Sequence, residues 1–144
     1  MTVGDNHHTL EKIEGDSWAK PPSDATRLMV TVHNLRRKPI GQMSVEDMRI
    51  LINQRVGIKT LVPRALTILE QDPFVQGDFY PGDLLAAVLR IPDAQWVENS
   101  GWIAELRLVI REFEHAKELH PKLPRDYPGW IRIEELRSIG LLDF

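Results

Sequence analysis

Asp78 and Asp83 are the side chains whose type and spacing come nearest to chemistry. They lie in Gly77-Asp78-Phe79-Tyr80-Pro81-Gly82-Asp83, followed at once by an apolar run. Paired carboxylates can hold Mg²⁺ or exchange protons. This spacing, interrupted by Pro-Gly, fits no calcium loop, and no histidine or further acid adjoins it. A turn leading into a helix explains the residues better: Gly77 permits the turn, and Asp83 in a first helical turn complements the dipole. Glu112-Phe113-Glu114-His115 contains one Glu-x-x-His. A di-iron bundle needs two such motifs and two further glutamates, so a solvated helix face is the expectation. His7 and His8 sit in a polar arm, His33 in a helix, and His115 and His120 on different helix faces, so no metal set is expected. The chain has no cysteine, which removes thiol nucleophiles and disulfides. It has no Gly-x-Ser-x-Gly and no phosphate-cradling glycine loop. The residues therefore propose no reaction, no cofactor and no small-molecule substrate.

What remains for residues 70–83 is contact. Glu70, Asp72, Asp78 and Asp83 give this stretch a charge of −4, and no Lys or Arg occurs between Arg64 and Arg90. Residues 24–42, with Arg27, Arg36, Arg37 and Lys38 against Asp24, carry +3. Acids attract a basic partner and aromatic side chains supply contact area. On this reading Tyr80 and the acids are candidates for a surface, while Phe74 and Phe79 belong to the core. Arg36-Arg37-Lys38 reads as a solvated helix end.

The elements that would position these residues are helices. Pro21-Pro22 closes a polar arm over residues 1–22, in which Leu10, Ile13 and Trp18 are the docking candidates. Ser23 or Asp24 caps a helix over 24–37. Ser44, with Asp47 in capping-box position, opens a second helix, which Gly57 closes. A third spans 60–71, with Pro63 tolerated only in its first turn. A fourth spans 81–91, with Pro81 at its first position, and is apolar nearly all round, hence central. Residues 93–98 form a single turn around Trp96. Ser100 caps the longest helix, 101–119, and a last one covers 130–138. Pro121, Pro124 and Pro128 impose an extended connection. Pro121-Lys122-Leu123-Pro124 matches the Pro-x-x-Pro pattern but reads as a linker.

The expectation is an all-α, compact single-domain bundle of about five to six helices over residues 23–144, behind the arm. A chain of 144 residues buries roughly 70% of its unfolded surface, enough for a core. No apolar run approaches the roughly 20 residues of a membrane span. The polar N-terminus has no signal-peptide core, which points to the cytoplasm. The net charge of −3 argues against nonspecific nucleic-acid binding. A helix-turn-helix over 44–69 is the alternative from another class. Its second helix offers Lys59, Thr60, Arg64 and Thr67 among many apolar residues, a weak base-reading face.

Three segments in order resemble the bacterial contact-dependent growth inhibition immunity proteins: "LRRKPIGQMSVEDMRILINQRVGI" (35–58), "LVPRALTILEQDPFVQGDFYPGDLLAAVL" (61–89), and the Trp96 segment with the long helix after it. The resemblance spans about residues 24–119. Its most specific part joins Gly77-Asp78-Phe79-Tyr80-x-Gly82-Asp83-Leu84-Leu85 to Ser44-Val45-Glu46-Asp47-Met48-Arg49 and the Gln54-x-x-Gly57 turn. Pro81 stands where the family pattern has an acid, leaving one negative charge fewer on the loop. The resemblance implies binding rather than catalysis: such a protein captures a cognate toxin C-terminal domain, often a nuclease, and blocks it in the cytosol. Nuclease grooves are commonly basic, so an acidic surface suits the role. Asp72, Asp78, Tyr80 and Asp83 are the toxin-binding candidates on that view.

Overall fold

A computed structural model describes residues 6–142; the first five residues of the arm lie outside them. Eight α-helices and no strand occur among the described residues: α1 (Leu10–Glu14), α2 (Arg27–Leu35), α3 (Val45–Asn53), α4 (Ile58–Gln71), α5 (Asp83–Leu89), α6 (Asp93–Glu98), α7 (Gly101–Ala116) and α8 (Gly129–Ser138). Short 3₁₀ turns precede α3 and follow α7. The all-α expectation holds, with a few more helices than expected, because α1 and α6 are short.

Helix α5 is the axis. Every residue from Asp83 to Leu89 is buried. α3 packs on one side of it, α8 and α4 on others, and α7 lies along α4. A seven-residue helix cannot stand alone in water, so α5 exists because its neighbours cover all its faces. The amphipathic stripe of α7, with Ile103, Leu106, Val109, Ile110 and Phe113 buried, closes the core together with Trp96, which is 0% exposed.

Several boundaries differ from expectation for local reasons. α2 starts at Arg27, because the Thr26 hydroxyl accepts from the Met29 N–H at 3.1 Å; Ser23 and Asp24 precede the helix. α3 has the expected capping box, Ser44 and Asp47 each accepting the other's backbone N–H at 3.0 Å. It ends at Asn53, before Gly57. Arg55 turns the chain with φ 59°, and Gly57, φ 68°, leads directly into α4. A side chain at Gly57 would also strike Leu10, whose Cδ1 would lie 2.7 Å from an added Cβ. Pro63 is inside α4, beyond its first turn; lacking an N–H, it leaves the Lys59 carbonyl without its helical partner. α5 begins at Asp83 because Gly82 is left-handed, φ 82°, which leaves Pro81 outside the helix. Ser100 precedes α7 without a side-chain cap bond.

The arm folds back on the basic run. Leu10 is 0% exposed. The His8 carbonyl accepts from the Ile40 N–H, and the Arg36 carbonyl from the Glu11 N–H. Arg36 is therefore not a solvated helix end. It is 1% exposed, bonded to Glu14 at 2.9 Å and to the Asp16 carbonyl at 2.7 Å, with its guanidinium 4.1 Å from the Trp18 ring centre. Burial of a charge is tolerable only with such partners.

Candidate functional site: the loop between α4 and α5

Residues 72–82 leave α4 and enter α5. Asp72 starts the turn by accepting the Phe74 N–H on Oδ1 at 2.9 Å. Phe74 goes inward, as expected, onto Phe113 and His120, with ring centres 5.0 and 4.6 Å away. The chain then doubles back in a narrow hairpin. Gln76 bridges Pro81, and the Gly82 N–H donates to the Phe74 carbonyl at 3.0 Å.

The tip is shaped by two carboxylates. Three successive amides point inward, and each meets an acid: Gly77 N–H donates to Asp83 Oδ1 at 2.6 Å, Asp78 N–H to Glu46 Oε1 at 2.9 Å, and Phe79 N–H to Asp83 Oδ2 at 3.1 Å. Charge-assisted bonds of this kind are shorter and stronger than neutral ones. Arg49 completes the clasp. Its Nε and Nη2 each donate to Glu46 at 2.6 Å, and its Nε lies 3.9 Å from Asp83. Glu46 and Arg49 share a face of α3 because they are three residues apart. The Arg49 hydrogen bonds hold the Glu46 carboxyl below its ordinary value of 4.5, outweighing the burial that opposes them. A Cβ on Gly77 would run into Glu46 Oε1 and lie 3.2 Å from Asp83 Oδ2, so only glycine lets both acids approach.

With the amides turned in, side chains 78 and 79 turn out. Asp78 and Asp72 are exposed and Tyr80 is half-buried, its ring edge-on to Tyr127 at 6.1 Å. Asp83 is 3% exposed; its carboxylate is spent on the loop, so it shapes the surface and does not itself face outward. Phe79 corrects the expectation of a core residue. It is 65% exposed, with one ring face on the Arg49 guanidinium at 4.5 Å. The reason is that Asp83 captures its amide and Arg49 fills the space beneath. Sequence reasoning on 70–83 passed over Glu46 and Arg49. Their signal was the i, i+3 opposite-charge pair, and they stand in the family-like segment beside the capping box.

From the opposite side, Tyr127 locks the helix entry. It is 1% exposed, and its hydroxyl donates to the Gly82 carbonyl at 2.7 Å. Burial first, then the charges of Tyr80 and Asp83, push the phenol far above its ordinary value, so it remains a donor. A Cβ on Gly82 would lie 2.9 Å from the Tyr127 ring.

Acidity continues next to the loop. An open groove of about 510 Å³ between the end of α4 and α7 is lined by Glu70, Asp72, Pro73, Phe74, Leu108 and Glu112. Among the described residues, no three His, Asp or Glu side chains converge as a metal site would require. No helix is long and apolar enough to cross a membrane among those residues. The α3–α4 pair does not present a base-reading helix. Ile58, Leu61, Val62, Ala65, Leu66 and Leu69 of α4 are buried, Lys59 lies 3.8 Å from Glu98, Arg64 is bonded to Asn6, and the Thr67 hydroxyl donates to the Pro63 carbonyl.

Neither the curated proteins nor the solved structures yield a match. A family model described as CDI immunity proteins matches residues 12–106, and the chain belongs to that family. The match takes in the docked arm from Lys12 and both halves of the clasp, and it stops within α7.

Proposed function

From that membership we propose that this chain binds one-to-one to a cognate toxin C-terminal domain, a nuclease acting in the cytosol, and neutralises it there without catalysing a reaction. The observation that carries the reading is the clasp. Glu46 and Arg49 from one family-like segment and Gly77–Asp83 from another form a single cluster, and that cluster presents an acidic tip on a fixed backbone. A preorganised loop loses little entropy on binding, and the exposed acids Glu70, Asp72 and Asp78 steer a basic groove toward it. Asp72, Asp78 and Tyr80 would touch the toxin, and Asp83 would hold them in place. The helix-turn-helix alternative gains no support from α4, whose apolar residues face the core.

Titration calorimetry against an inactivated toxin C-terminal domain encoded beside this gene tests the reading. The expected result is a saturable one-to-one complex with Kd on the order of nanomolar or tighter. Absence of binding would count against it, and salt-dependent, sequence-selective binding to duplex DNA would favour the regulator. Asp78→Lys is expected to slow association several-fold at low salt and less at high salt. An unchanged association rate would remove the acidic-steering argument.

A further inference from the structure

Phe79 is the one exposed aromatic side chain among the described residues. Other exposed apolar side chains are not aromatic: Ile131, 69% exposed, lies on α8, and Leu28 and Met29, each 43% exposed, line a groove of about 260 Å³ beside Trp18 and Val56. Phe79 differs in three respects. Its backbone is held at the amide by Asp83 at 3.1 Å. Its inner ring face rests on Arg49, 4.5 Å away, whose charge is already engaged by both oxygens of Glu46. Its neighbour Asp78 is exposed, with the Asp78 amide fixed by Glu46 at 2.9 Å. An exposed ring on an immobilised backbone, beside an outward carboxylate, has the make-up of an interface anchor: large contact area, few rotamers to freeze, and a charge that selects the partner.

Resting on the immunity reading, we infer that Phe79 is the anchor of the toxin contact, entering an apolar pocket of the toxin domain bordered by a basic side chain that pairs with Asp78. Charge complementarity favours this occupant over a second copy of the chain. A two-fold contact about Phe79 would oppose two 70–83 stretches, each with Glu70, Asp72 and Asp78 exposed and no Lys or Arg of its own. The contact divides its labour: Asp78 acts on approach, Phe79 on retention.

Surface plasmon resonance with the inactivated toxin C-terminal domain encoded beside the gene tests this, beginning with the wild-type chain. Phe79→Ala is expected to weaken binding at least about 30-fold, chiefly through faster dissociation. Its melting temperature should stay at the wild-type value, since the ring is mostly in solvent. Ile131→Ala, which removes an equally exposed side chain on α8, should bind as wild type. Wild-type affinity in Phe79→Ala would overturn the anchor while leaving the immunity reading intact. Failure of the wild-type chain to bind would overturn the immunity reading, and the anchor with it. A wild-type dimer that Phe79→Ala converts to monomer would overturn the anchor in favour of a second copy.

Discussion

Two stretches of chain without α-helix meet at Gly82, and opposite means hold them. Residues 72–82 are fixed by charge, with two carboxylates on three amides and an arginine between them. Residues 120–128 are fixed by rings: His120 stacks on Phe74, and Tyr127 is buried among Phe113, Trp130 and Tyr80, with its hydroxyl on the Gly82 carbonyl. The first stretch lies inside the family match and the second outside it. The difference separates shape from stability. Directional charged bonds determine where the tip of the loop points, while burial of an aromatic side chain keeps the end of the chain on the core.

Tyr127→Ala is the most severe way to break the pairing. It removes a fully buried ring and one of the two donors on the Gly82 carbonyl, which keeps the Ala86 N–H, for a loss of about 3–5 kcal/mol in urea unfolding. A loss below about 1 kcal/mol would mean the tail is not part of the core. Asp83→Ala should be milder in stability, about 2–3 kcal/mol, because it strands two inward amides. It should nevertheless disturb the tip more: amide exchange at Gly77 and Phe79 is expected to accelerate well beyond that of α7. Uniform acceleration across the molecule would erase the distinction between the two stretches.

Acid should change stability least. The Glu46 carboxyl is lowered by Arg49, so its contribution is fully present above the unfolded value of 4.5 and is lost as pH falls through the lower folded value. Asp47 behaves alike. Burial opposes its ionised form, but the bonds to Lys38 and Ser44 prevail and lower it from 3.8. Stability should therefore decline as pH falls below about 4.5, with the tip loosening first. Glu46→Gln should flatten that part of the profile. An unaltered pH profile in Glu46→Gln would show that the clasp does not depend on its charge.

The sequence made the helices legible because their signals are local. The Ser44–Asp47 capping box, the stripe of α7 and the all-apolar face of α5 each lie within a few turns of chain. The outward turn of Phe79 was not legible, because the side chain that fills the space beneath its ring, Arg49, comes from α3, far back in the chain. Nothing within Gly77–Asp83 announces that partner. Arg36 was misread for the same reason: its bonds to Glu14 and Asp16 reach 22 and 20 residues back. Gly57 is legible as a turn residue, but its place at the start of α4 follows from where Leu10 presses on it; Gly82, expected inside the fourth helix, instead precedes it in a left-handed turn against Tyr127.

The bond from Tyr127 to Gly82 spans 45 residues, which gives the loop a history as well as a shape. At synthesis rates of about 5–20 residues per second, the carbonyl of Gly82 leaves the ribosome roughly 2–9 s before the hydroxyl that will hold it. During that interval α3 and its clasp can already gather the tip, while the slot for Tyr127 stands open to water. The nascent chain thus acquires its outward face before the plug that secures it.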